Sequence, residues 1–112
     1  MDVLRVDRAL GELEPRSPEI SVRTWHRGAS YEVGLIAFQP QLAADPRHIC
    51  HADRDVLCQV VQGTGRLRTE GQTIPVETGA LYRIPAGTAH DFAATGAEPL
   101  VLLYTLVVVA PA

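Results

Sequence analysis

The chain has 112 residues, 46% of them hydrophobic, and a formal net charge of −3. That length suits one domain able to bury its own core, and the apolar content excludes disorder. The charge balance excludes nucleic acid or an anionic membrane surface as the main partner.

Residues 2–14 mix charged and apolar positions, with Leu4, Leu10 and Leu13 fit for a short strand or one helical turn. The stretch lacks the apolar core of a signal peptide, and no run is long enough to span a bilayer, so a cytoplasmic protein is expected. Two cysteines, Cys50 and Cys58, do not make a disulfide framework, and a reducing cytosol keeps both as thiols. Pro15 and Pro18 bracket a polar loop, after which Ile20–Arg27 alternates with the period of a strand. A second strand covers Tyr31–Phe38, and a loop covers residues 39–47. His48–His51 is a short segment holding three potential ligands, and Val56–Gln62 reads as a buried strand.

Gly63 and Gly65 mark the next turn, and Glu70-Gly71 joins Arg66–Thr69 to Gln72–Val76 as a hairpin. Short strands Tyr82–Ile84 and His90–Ala94 are separated by a corner at Pro85-Ala86-Gly87. Proline presets φ for such a turn and glycine accepts the positive φ that often comes after it, so His90 leaves the corner in a fixed direction. The last strand, Leu100–Val109, is rich in β-branched residues and apolar on both faces. A strand with one wet face should alternate. The second face therefore needs either a partner copy, which predicts a homodimer, or an N-terminal segment folded over it. No window shows sustained helical periodicity. Many short strands with Gly/Pro turns predict an all-β, antiparallel jelly-roll barrel with little or no helix. It forms one domain over residues 1–112, with the core barrel over about 20–109 and an extension over 1–19.

The order Gly79, Pro85, Gly87, His90 resembles the second motif of the cupins, small jelly-roll barrels. The family's closing Asn position holds Ala94. Counting back from Gly63, Val56 stands where the first motif has Glu, His51 at its second histidine and Ile49 at its first. The resemblance spans about residues 30–107. It implies a divalent metal (zinc, nickel, iron or manganese) held inside the barrel by three histidines and a glutamate. Of those four positions the chain keeps His51 and His90, and two imidazoles alone make a weak site. A second register, His48-x-Cys50 with Asp55 and His90, gives an alternative four-ligand set if a β-bulge absorbs one residue before Gly63. Alternation places Cys58, Tyr82 and Phe92 toward the cavity with His51 and His90, and Trp25 is a further candidate.

Each candidate also has a bland role: His90 as a hydrogen-bonded pocket residue, His51 as an exposed loop residue, Cys58 and the aromatics as core. No phosphate loop, Ser-His-Asp order or zinc-finger spacing is present. The resemblance implies one of two functions. One is a module binding a small-molecule ligand in the barrel beside a degenerate metal site. The other is a metal-dependent enzyme of the dioxygenase, isomerase or lyase type using the shifted ligand set. Val56 and Ile49 favour the first.

Overall fold

A computed structural model of the chain describes residues 1–40 and 51–109. Among the described residues nine strands make two sheets. They are β1 (Glu14–Pro15), β2 (Ile20–Arg27), β3 (Tyr31–Phe38), β4 (Arg54–Gln62), β5 (Thr64–Thr69), β6 (Gln72–Glu77), β7 (Leu81–Ile84), β8 (His90–Ala94) and β9 (Leu100–Val108). A six-stranded sheet runs β1-β2-β3-β9-β4-β7, and a three-stranded sheet runs β6-β5-β8. All the ladders are antiparallel. This is the all-β jelly roll that the strand spacing predicts. The β5–β6 hairpin closes on Glu70-Gly71, both at positive φ, as a tight hairpin turn requires.

Side-chain alternation divides the six-stranded sheet into two faces. Leu100, Leu102, Tyr104 and Leu106 of β9 point into the barrel, where they meet Val56, Cys58 and Val60 of β4. Phe92 of β8 and Phe38 of β3 close the same core, with ring centroids 5.7 Å apart. The opposite face carries Leu35, Ala37 and Val101. Those residues are covered by the chain's own N-terminus. A helical turn α1 (Val6–Ala9), continued by a 3-10 turn over Leu10–Glu12, lays Ala9 on them with Leu4, Val6, Leu10 and Leu13 around it. Glu12 pairs with Arg23 of β2 and ties the segment down. Of the two covers that the apolar faces of β9 admit, the N-terminal segment supplies this one.

The irregularities matter for the site. The β2–β3 ladder slips between Thr24 and His26, and the β4–β9 ladder slips between Val60 and Gln62. Each leaves one unpaired residue, Trp25 and Val61, as a bulge does.

Candidate functional site

The corner before β8 is tied to the start of β4 at two points. The Gly87 amide donates to the His51 carbonyl at 2.8 Å, and the Ala86 amide donates to Asp55 Oδ1 at 2.9 Å. These bonds hold the segments that carry His51 and His90 against each other, with imidazole centroids 6.0 Å apart. His90 is 3% exposed and has Phe92 edge-on at 6.0 Å. Its Nδ1 lies 3.0 Å from the Thr88 carbonyl. A carbonyl only accepts, so Nδ1 carries a proton, and the lone pair of the neutral tautomer falls to Nε2. His51 is half-buried. Burial, then the neighbouring His90, hold its imidazole below the ordinary histidine range, toward the neutral form.

Both histidines line a cavity of about 300 Å³ between the sheets. Its belt is apolar, with Val22, Ile36, Phe38, Phe92, Leu102 and Leu106 contributing. Val56 and Cys58 line it from β4. The Cys58 thiol is free, and burial pushes its pKa up to about 11, so it stays protonated and unreactive at neutral pH. Among the candidates read from the sequence, His51, His90, Cys58 and Phe92 meet at this cavity.

Two candidates sit elsewhere. Trp25 occupies the bulged position of β2, is 40% exposed, and packs edge-on against the His26 ring outside the barrel. Tyr82 packs against the core side of β7 but borders a shallow groove on the outer side. Its hydroxyl donates to the Pro75 carbonyl at 3.4 Å and accepts from the Glu77 amide at 3.3 Å.

The alternative ligand set falls partly outside the described residues, since His48 and Cys50 lie there, as does Ile49. Asp55 is committed away from the cavity. One oxygen takes the Ala86 amide and the other takes the Arg83 guanidinium at 2.8 Å. A bulge does exist in β4, at Val61, but it leaves Val56 inward and Asp55 turned to the corner. Among the described residues no three His, Cys, Asp or Glu side chains converge to hold a metal ion. With an isopropyl group from Val56 where a carboxylate is needed, the described donors do not fit the family's metal position.

Sequence reasoning missed a second polar group in the cavity. Glu32 of β3, Tyr104 of β9 and Thr24 of β2 line it from the six-stranded sheet. The Tyr104 hydroxyl donates to Glu32 Oε2 at 2.8 Å, and Arg27 Nε donates to Glu32 Oε1 at 2.9 Å. Burial opposes ionisation of Glu32, but the bonds from Tyr104 and Arg27 outweigh it and hold the carboxyl below its usual range. The available signal was Gly34, a glycine inside a strand, which often marks close approach of another group.

Comparison with known proteins agrees with this architecture. The model of the Cupin domain matches residues 34–109. A sequence search of curated proteins finds no match. Among solved structures, TT1209 from Thermus thermophilus superposes with a TM-score of 0.77 at 19% identity, over 96% of this chain and 98% of its own. KdgF from Halomonas sp. gives 0.72 at 20% identity, over 85% of this chain and 84% of its own. The cupin domain of Schizosaccharomyces pombe Cnp3 gives 0.76 at 14% identity, over 87% of this chain and 68% of its own. At these identities the likeness is one of fold.

Proposed function

From the premise that this chain belongs to the cupin family, whose domain model matches residues 34–109, we propose that it binds a small molecule inside the barrel and has a degenerate metal site. The observation that carries this reading is the cavity itself. About 300 Å³ of apolar-lined space surrounds two neighbouring imidazoles, and Val56 stands where the family places a metal-binding carboxylate. Small-molecule sites are mostly apolar pockets of at least roughly this size, with a few placed polar groups. Two imidazoles without a third protein ligand leave coordination to water and lower metal affinity. His90 Nε2 and the neutral His51 therefore act here as hydrogen-bonding groups toward the ligand.

Zinc titration of chelator-treated protein tests the metal half of the proposal. Weak binding, lost in His51→Ala and kept in Cys50→Ser, is the expected result. Tight one-to-one binding abolished by Cys50→Ser would overturn it in favour of a metal enzyme. The cavity half is tested by a nuclear magnetic resonance screen of small neutral compounds, read at the His90 and Phe92 rings. Shifts at both rings support it, and a screen that never moves them sinks it.

For the assembly we propose a homodimer built on the outer face that the N-terminal segment leaves open. Leu81 is 79% and Leu57 43% exposed there, beside Leu103 in a shallow groove. Grouped exposed leucines of this kind mark contact surfaces. Light scattering at micromolar concentration should give twice the chain mass, and Leu81→Arg should halve it. A monomeric wild type refutes the dimer.

A further inference from the structure

The Glu32–Tyr104–Thr24 group looks costly for a barrel that needed only a core. Its neighbours across the strands, Leu106 and Val56, are apolar. Well-packed apolar residues often serve stability as well as a buried charge cluster does, or better. The chain nevertheless makes room for it. Thr24, Gly34 and Tyr104 lie in one row across β2, β3 and β9. A Cβ on Gly34 would stand 2.7 Å from the Tyr104 hydroxyl oxygen and 2.5 Å from the Arg23 carbonyl oxygen. Only a glycine leaves the passage through which Tyr104 reaches Glu32 and comes within 3.5 Å of the Thr24 hydroxyl.

The chemistry at two points of the lining is one of acceptors. An ionised carboxylate accepts at about four lone-pair positions and donates at none. Glu32 uses one position on each oxygen, for Tyr104 and for Arg27. The Tyr104 proton is spent on Glu32, and the Thr24 hydroxyl stands 3.5 Å from the Tyr104 oxygen as its donor. On the facing sheet, His90 offers Nε2, its Nδ1 proton being spent on Thr88. The lining also holds donors: Arg27 gives its Nε–H to Glu32 and keeps its other N–H groups, Arg16 stands exposed, and the neutral His51 carries one N–H. At Glu32 on one sheet and at His90 on the other, acceptors thus face the cavity with an apolar belt between them. At these two points a dicarboxylate would bring acceptors to acceptors. A molecule with a hydroxyl at each end of an apolar middle brings donors to both.

We propose that Glu32, positioned by Tyr104 and by the space over Gly34, is the second anchor of the ligand site, and that the ligand class is a compact diol bound between Glu32 and His90. This rests on the reading of the cavity as a ligand site. The test uses three rigid probes of one shape: para-benzenedimethanol, its dimethyl ether and terephthalate. Each is titrated into the wild type and into Glu32→Gln, following the His90 and Phe92 ring resonances. The diol should move both rings and saturate. A hydrogen bond to a charged group corresponds to roughly tenfold or more in affinity, so the ether should bind at least that much more weakly. Glu32→Gln should lose most of this preference for the diol, and terephthalate should bind the wild type more weakly than the diol does. An ether or terephthalate that binds as tightly as the diol overturns the proposal while leaving the cavity reading intact. Failure of all three to move the rings counts against both. Should Glu32→Gln melt before it can be titrated, the diol-to-ether ratio in the wild type decides alone.

Discussion

The two faces of β9 have opposite fates. Outward, Val101 is sealed with Leu35 and Ala37 under the N-terminal segment, and the small Ala9 at 1% exposure lets the helical turn sit close. Inward, Leu100, Leu102 and Leu106 belong to a core that stops short of closing and leaves about 300 Å³ of space. Polar groups gather on the inner side, where Tyr104 interrupts the apolar row. One strand therefore seals a core with one face and lines the cavity with the other, and the cost of truncation should differ between them.

The largest effect is expected at Leu35, which is 0% exposed and packed on the sealed face. Leu35→Ala opens a void where there was none, and such changes cost about 2–5 kcal/mol. Leu102→Ala enlarges a space that already exists, so fewer packing partners are lost and the cost should fall at the low end of that range. Urea denaturation of both variants checks this. A Leu102→Ala as damaging as Leu35→Ala would mean that the inner face is as tightly closed as the outer.

Gly34→Ala probes the inner face alone. In a strand interior, Gly→Ala ordinarily gains roughly 0.5–1 kcal/mol. Here the added Cβ meets the Arg23 backbone carbonyl, which cannot swing aside as a side chain would. Overpacking of this kind costs about 1–3 kcal/mol, so the expected sign is reversed. The same Cβ displaces the Tyr104 hydroxyl from Glu32. Burial, with the Glu32 carboxylate adding to it, now holds the Tyr104 pKa above the ordinary tyrosine value. In the variant that pKa should drop back, which ultraviolet titration of the tyrosines will show. A Gly34→Ala protein more stable than wild type would refute the close approach.

The strands were readable because alternation and turn residues agree along the chain. Glu70-Gly71 named its hairpin and Pro85-Gly87 its corner, and the structure uses both. The cover over Val101 was open between two candidates because α1 is four residues long with no side-chain cap, too short to show a period. His51 and His90 were found through motif spacing. Glu32 and Tyr104 were not, since they stand 72 positions apart and neither belongs to a motif. Trp25 lies away from the cavity lining because of the bulge at that residue, which cannot be read from alternation. Asp55 faces the corner for the same kind of reason, since parity counted from Gly63 depends on where the β4 bulge falls.

The smallest expected effect is the pH dependence, and it separates the tie at the corner from the cavity. The Ala86 amide, then Arg83, hold the Asp55 carboxyl below its ordinary 3.8. Burial, then His90, hold the His51 imidazole below its ordinary 6.5. In both cases the unfolded chain takes up the proton first as pH falls, so stability declines on acidification. The His51 contribution is present above about pH 6.5 and is lost as pH falls through its lowered folded value. The Asp55 contribution persists to about pH 3.8 and is lost below it. Urea midpoints measured from neutral pH downward should therefore fall in two stages. His51→Gln should flatten the upper stage alone, and Asp55→Asn the lower stage alone while lowering stability at neutral pH. An upper stage unchanged in His51→Gln would show that His51 is solvated rather than part of the cavity wall. An Asp55→Asn that alters neither stage would show that the corner is held by the Gly87–His51 backbone bond without help from the carboxylate.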